Sequence, residues 1–289
     1  MILLAFLLQV LRIAVPYLFA AAGGALSERA GVIALSLEGF MLTGAFCAAV
    51  GAHYTGSPWA GLVAGVAGGA LMGLLHAVAT VRFRADQVVV GIAINLLVIG
   101  LTRFFLLLAF DSSSNSPRVA GFGDAGGIWG WLSGPMLPLG LLVIPVVAFL
   151  VDRTAYGLRV RAVGEHPQAA TSLGVSVPKV RYGAVVLAGA LASLGGVYLA
   201  LDQHQFTDQM TAGRGFIALA AIIFGRWDPK RAGIACLLFA FAEALQIRLQ
   251  AFEVIPSQFV GMIPYLLTII ALAGVVGRAN PPAALGKAE

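Results

Sequence analysis

Charge is scarce in this sequence: Asp, Glu, Lys and Arg make up 11% of its 289 residues, against 60% for the hydrophobic types. A water-soluble domain cannot bury that much apolar surface in one core, so the expected solvent is lipid. Cysteine is nearly missing. Cys47 and Cys236 each lie inside an apolar run, with no CxxC or Cys/His spacing nearby, which argues against a disulfide framework and against a metal site. The phosphate-cradling loop GxxxxGK[ST] is absent, because the only Gly-Lys pair, Gly286-Lys287, has Pro281 at the first glycine position and Ala288 after it. ATP and other cofactors are therefore not expected on this chain. HExxH and Ser-His-Asp patterns are missing as well, and His53, His76, His166 and His204 are scattered, so catalysis is not expected. An ion-coupled carrier would need several carboxylates at mid-membrane. Of the 13 Asp and Glu residues, only Glu38 and Glu243 fall within apolar runs.

The apolar runs themselves predict an all-α integral membrane protein, a polytopic bundle of about nine transmembrane helices at 3–25, 31–50, 58–80, 87–110, 135–151, 182–201, 213–225, 231–250 and 260–277. Residues 1–289 then form one transmembrane domain with no room for a soluble one. The net charge of +5 reports orientation and not a nucleic-acid partner, since the basic residues collect in short loops. Segment 152–181 carries Arg153, Arg159, Arg161, Lys179 and Arg181, which makes it a cytoplasmic loop. Counting crossings outward from it brings Arg29, Arg82, Arg84, Arg226, Lys230, Arg231, Arg278 and Lys287 to the same side. The N-terminus is then outside and the C-terminus cytoplasmic, in the plasma or inner membrane. The first apolar run has no basic residue before it and no A-x-A-like exit, so it is kept in the fold and not read as a cleavable signal. Segment 111–134, with Trp129 and Trp131, is expected along the extracytoplasmic surface. In the cytoplasmic loop, Gly164, Pro167, Gly174 and Pro178 bracket a short helix from about Gln168 to Leu173.

Some residues stand out from the apolar background. Gly61, Gly65, Gly69 and Gly73 form a run of GxxxG steps, a spacing that lets another backbone approach closely and so marks helix packing. Polar side chains within spans are costly, and each is a candidate site. Asn95 and Thr102 share a face of the fourth span, Glu243 and Gln246 a face of the eighth, and Ser36 and Glu38 sit early in the second. They either line a translocation path for a polar, uncharged solute or bond helices together, and for Glu38 anchoring is favoured. Gly31-Val-Ile-Ala-Leu is echoed by Gly215-Phe-Ile-Ala-Leu in a span of opposite direction. This fits an inverted repeat of the kind found in transporters, or a chance match in a Gly/Ala-rich chain.

Five blocks carry a resemblance: SERAGVIALSLEGFMLTGAF (27–46), ADQVVVGIAINLL (85–97), GLRVRAVGEHPQAATSLGV (157–175), GRGFIALAAIIFGRWDP (213–229) and PYLLTIIALAGVVGRANPPAALG (264–286). Together they resemble permeases of the ribose/branched-chain amino-acid importer superfamily, most of all the second permease of nucleoside and simple-sugar uptake systems. The resemblance implies a type II ABC importer fold and a non-catalytic subunit forming the path for a small polar solute, a nucleoside or simple sugar. A branched-chain amino acid is the alternative solute, and an ion-coupled carrier the alternative class. It also implies a second permease, either a paralogue or a second copy, an extracytoplasmic substrate-binding protein, and a cytoplasmic ABC ATPase that carries the ATP and Mg. By the same likeness, Arg159, Arg161, Gly164, Glu165, Ala169, Ala170 and Gly174 correspond to the segment that couples to the ATPase. One departure is visible, since Ala34 stands where the family usually has Asn, while Glu38 and Gly39 are kept.

Overall fold

The computed structural model describes residues 2–122, 134–250 and 280–287. Its helices, in chain order, are α1 (Ile2–Arg29), α2 (Leu37–Thr55), α3 (Pro58–Ala77), α4 (Gln87–Phe110), α5 (Met136–Arg153), α6 (Ala155–Glu165), α7 (Pro167–Ser172), α8 (Val177–Asp202), α9 (Arg214–Phe224) and α10 (Pro229–Gln250). A π turn, Val78–Arg82, closes α3. Boundaries follow local chemistry. The Asp86 carboxylate accepts from the Val88 and Val89 amides at 2.9 Å and starts α4, Thr154 caps α6 through the Gly157 amide, and Asp228 receives the Lys230 and Arg231 amides at the start of α10. Proline occupies the first position of α3 and α7, where its missing N–H costs nothing.

Six of these helices, α1, α3, α4, α5, α8 and α10, are long and apolar enough to cross a membrane. Two predicted spans differ. The second was expected from residue 31, but residues 30–36 are not helical and α2 begins at Leu37. An apolar run alone does not distinguish a buried helix from a buried extended stretch. Here Gln87 accepts the Ile33 amide at 2.7 Å, which gives the irregular backbone a partner. The seventh, α9, is an 11-residue helix, roughly 16 Å long at the α-helical rise and thus well short of a bilayer core of about 30 Å. The predicted span 260–277 and the residues Trp129 and Trp131 lie outside the described residues. In the loop 152–181 the short helix is α7, and α6 precedes it where none was expected.

Small residues draw the centre together. Helix α8 runs between α1, α2 and α3, and at Gly196 the contact is so close that a methyl group would lie 1.8 Å from the Met41 carbonyl oxygen. The four glycines Gly61, Gly65, Gly69 and Gly73 are all buried on α3, Gly61 facing α2, Gly65 facing both α2 and α8, and Gly69 and Gly73 facing α8. With lipid as solvent, association depends on such van der Waals contact rather than on expulsion of water. By contrast α4 turns a row of large side chains outward, among them Val89, Leu96, Phe104 and Leu108.

The two ends of the bundle are distinct. At one, Arg29 donates to the Trp227 carbonyl at 2.7 Å, Lys230 pairs with Asp152 at 3.3 Å, and the Ala284 amide donates to the Gly164 carbonyl at 2.9 Å. At the other, the Ser116 amide donates to the Phe206 carbonyl at 2.9 Å and the Val119 amide to that of His204 at 2.8 Å, with Arg103 paired to Asp208 beside them. The basic loops read as lying on one side of the membrane therefore meet at one end.

Replacing Gly69 by Leu would drive a side chain into Ser193 and the Gly189 carbonyl, an overpacking expected to cost about 1–3 kcal/mol. The thermal midpoint of the purified chain in detergent should fall, while Gly100→Leu, at a position with no atom within 4 Å of the added Cβ, should leave it unchanged.

Candidate functional site

The polar groups within the bundle collect where two helices begin inside it. From the basic end, residues 30–36 lead inward to the start of α2. From the opposite end, residues 203–213 lead inward to the start of α9. Each helix start leaves backbone N–H groups without intrahelical partners and carries the positive end of a dipole. The two starts abut, since a Cβ on Gly215 would lie 2.4 Å from the Glu38 nitrogen.

Glu38 resolves both problems. One carboxylate oxygen accepts from the Thr211 hydroxyl at 2.6 Å and the Gly213 amide at 2.8 Å, and the other from the Gly215 amide at 2.7 Å. It thus caps α9 from a position in the first turn of α2. Asn95 of α4 does the same for α2: its Oδ1 accepts the Gly39 amide at 2.8 Å and its Nδ2 donates to the Leu35 carbonyl at 2.9 Å. Ser36 Oγ and His76 Nδ1 are 2.9 Å apart, joining this start to α3. Ser36, Glu38 and Asn95 therefore form one group, all buried.

Glu243 approaches the same point from α10. It accepts the Tyr17 hydroxyl and pairs with Arg214 at 3.4 Å, and the Arg214 guanidinium also donates to the Met210 and Thr211 carbonyls. Arg214 and Glu243 are each about a quarter exposed, unlike the buried Glu38. Gln246, half-buried, follows Glu243 on α10. Thr102 stands apart, its hydroxyl returned to the Val98 carbonyl of its own helix at 2.8 Å. Sequence reasoning overlooked Tyr17, His76, Thr211 and Arg214 as members of this cluster. Tyr17 and His76 lie within predicted spans and Arg214 at the mouth of one, each a polar group in or next to an apolar run, whereas Thr211 falls outside the spans and carries no such signal. Among the described residues, no three His, Cys, Asp or Glu side chains come together as a metal-ligating group.

A second candidate surface lies at the basic end. Helices α6 and α7 meet at His166, and a cleft of about 330 Å³ opens between this corner and residues 283–287, lined by Glu165, His166, Gln168, Ala169 and Lys287 among others. Gly164 and Ala170 are buried, while Arg159, Glu165, Ala169 and Gly174 are exposed and Arg161 is half-buried. A Cβ on Gly164 would sit 2.0 Å from the Arg29 carbonyl oxygen, which holds α6 against the end of α1. Leu173, 85% exposed, projects from the tip of the loop. Tyr156 at the other end of α6 is part-buried, and burial raises its phenol above the ordinary value, so it stays neutral.

Residues 6–272 match the family described as branched-chain amino acid transport system / permease component. The chain belongs to that family. It is 40% identical to the guanosine ABC transporter permease protein NupQ of Bacillus subtilis, across 94% of this chain and 92% of the relative. It is 36% identical to the nucleoside ABC transporter permease protein NupC of Lactococcus lactis, with the same coverage. A solved inward-facing ABC transporter assigned to the metal-chelate type shares the fold, with a TM-score of 0.57 at 14% identity over 94% of this chain and 86% of its own. This permease is accordingly a multi-pass membrane protein and a transport subunit without a catalytic role.

Glu38→Ala would leave the Gly213 and Gly215 amides and the Thr211 hydroxyl without their acceptor, at an expected cost of about 3 kcal/mol. Thr102→Ala removes only a bond within one helix and should cost less than about 1 kcal/mol. Thermal unfolding of the purified variants in detergent checks the order.

Proposed function

We propose that this permease carries nucleosides across the cell membrane as one subunit of an ABC importer. The observation that carries the reading is similarity to guanosine and nucleoside permeases over more than nine-tenths of the chain. The polar groups available suit a neutral, hydrogen-bonding solute. Arg214, Glu243 and Gln246 retain some exposure, whereas Ser36, Glu38 and Asn95 spend their hydrogen bonds on helix starts. The first group is assigned to contact with the solute and the second to shaping the path, with Thr102 further along it.

The positive-inside rule makes the basic end cytoplasmic and turns the start of α1 to the outside. The exposed face of α7, with Ala169 and the adjoining Arg159, Arg161, Glu165 and Gly174, then meets the ATPase, which holds ATP and Mg. Small residues at Gly164 and Ala170 let the arm seat closely. A second permease, paralogous or identical, completes the path, and a binding protein docks on loop 111–134. In this type II scheme, closure of the ATPase displaces α7 and opens the path alternately to each side.

Proteoliposomes containing the chain, its second permease, the ATPase and the binding protein should take up labelled guanosine only with ATP. Leucine and glucose should compete poorly. Uptake driven by an ion gradient with no ATPase present would overturn the reading, and preferential uptake of leucine would overturn the solute.

A further inference from the structure

Residues 280–287, Asn-Pro-Pro-Ala-Ala-Leu-Gly-Lys, hold no helix, and the two prolines remove backbone donors. Even so, Ala284 is 2% exposed. The segment is pinned on two sides. Toward the arm of α6 and α7, the Ala284 amide donates to the Gly164 carbonyl at 2.9 Å and the Ala283 amide to the Glu165 carboxylate at 3.3 Å. Toward the inward stretch 30–36, the Gly286 amide donates to the Gly31 carbonyl at 3.3 Å. The buried Arg181 of α8 spans both parts, donating to the Ala30 carbonyl at 3.3 Å and the Lys287 carbonyl at 3.4 Å. Gly31 has φ +89°, and a Cβ there would also meet the Ala284 carbonyl at 3.2 Å, so the contact depends on glycine twice over.

We propose that residues 283–287 are a positioning clasp: they tie the coupling arm to the stretch 30–36, so that displacement of α7 is delivered to the capped helix starts at Glu38. The inference rests on reading α7 as the contact for the ATPase. Its geometry favours transmission. The stretch is short, with turns at 30–31 and 35–36 and only three residues between them, so few backbone torsions are left to absorb a displacement. At one end it is held by Gly286, Arg181 and Gln87, and at the other it runs into Ser36 and Glu38. The same clasp walls the cleft at His166 and Gln168, so a partner seated there touches the arm and the clasp together.

The test uses the reconstituted transporter with Ala284→Pro, which removes the donor to Gly164, and with Arg181→Lys, which keeps the charge but shortens the reach. Three quantities are read: co-elution of the ATPase, its hydrolysis rate, and guanosine taken up per ATP. Both variants should keep co-elution and hydrolysis while uptake per ATP falls by about tenfold. Hydrogen exchange should quicken at residues 31–36 and stay slow in the middle of α8. Unchanged uptake per ATP with faster exchange at 283–287 would overturn the clasp. So would loss of ATPase co-elution, which would make the segment a docking surface. If the unaltered chain fails to bind an ATPase, the functional reading fails instead.

Discussion

Two helix starts meeting inside an apolar bundle set the terms for the rest of this structure. Their dipoles repel and their leading amides need acceptors, with no water in the hydrocarbon core to supply them. A single carboxylate, Glu38, stands between them and accepts three hydrogen bonds. Irregular backbone at membrane depth survives only where protein encloses it. The enclosure is provided by α4 through Asn95, by α3 through His76, and by α10 through Glu243, which pairs with Arg214 of α9.

The close packing follows from the same requirement. To bury residues 30–36 and the starts of α2 and α9, the neighbouring helices must approach more nearly than large side chains allow. Glycine on α3 and α8 makes that approach possible, and α8 becomes the most deeply enclosed of the candidate spans. Large apolar side chains are displaced to the outside of α4, where lipid or a second subunit can cover them.

Glu38 and Asn95 also show why a polar residue within a span has two readings. In a sequence, a capping group and a solute-binding group look alike, because both are costly to bury and both accept hydrogen bonds. The distinction lies in whether the bonding capacity is already used. Asn95 spends both atoms of its amide on Leu35 and Gly39, whereas Arg214 and Glu243 keep part of their surface free. The two copies of the echo, Gly31-Val-Ile-Ala-Leu and Gly215-Phe-Ile-Ala-Leu, differ in local structure, the first lying in the non-helical stretch before α2 and the second within α9.

The lipid solvent, the helical class and the gathering of basic loops at one end are all legible in local stretches of sequence, because hydropathy and the placement of Lys and Arg are local properties. The starts of α3 and α4 are legible for the same reason: Pro58 fixes its own φ at the first helical position, and Asp86 accepts amides within three residues of itself. The start of the second span at Leu37, the short reach of α9, and the gathering of Tyr17, Thr211 and Arg214 about Glu38 and Glu243 arise from contacts made on folding. The hydrogen bonds responsible link residues far apart in the chain, up to 226 positions for Tyr17 and Glu243. An apolar run of Val, Ile and Leu satisfies helix and extended backbone equally until a distant side chain such as Gln87 or Asn95 supplies the missing partner.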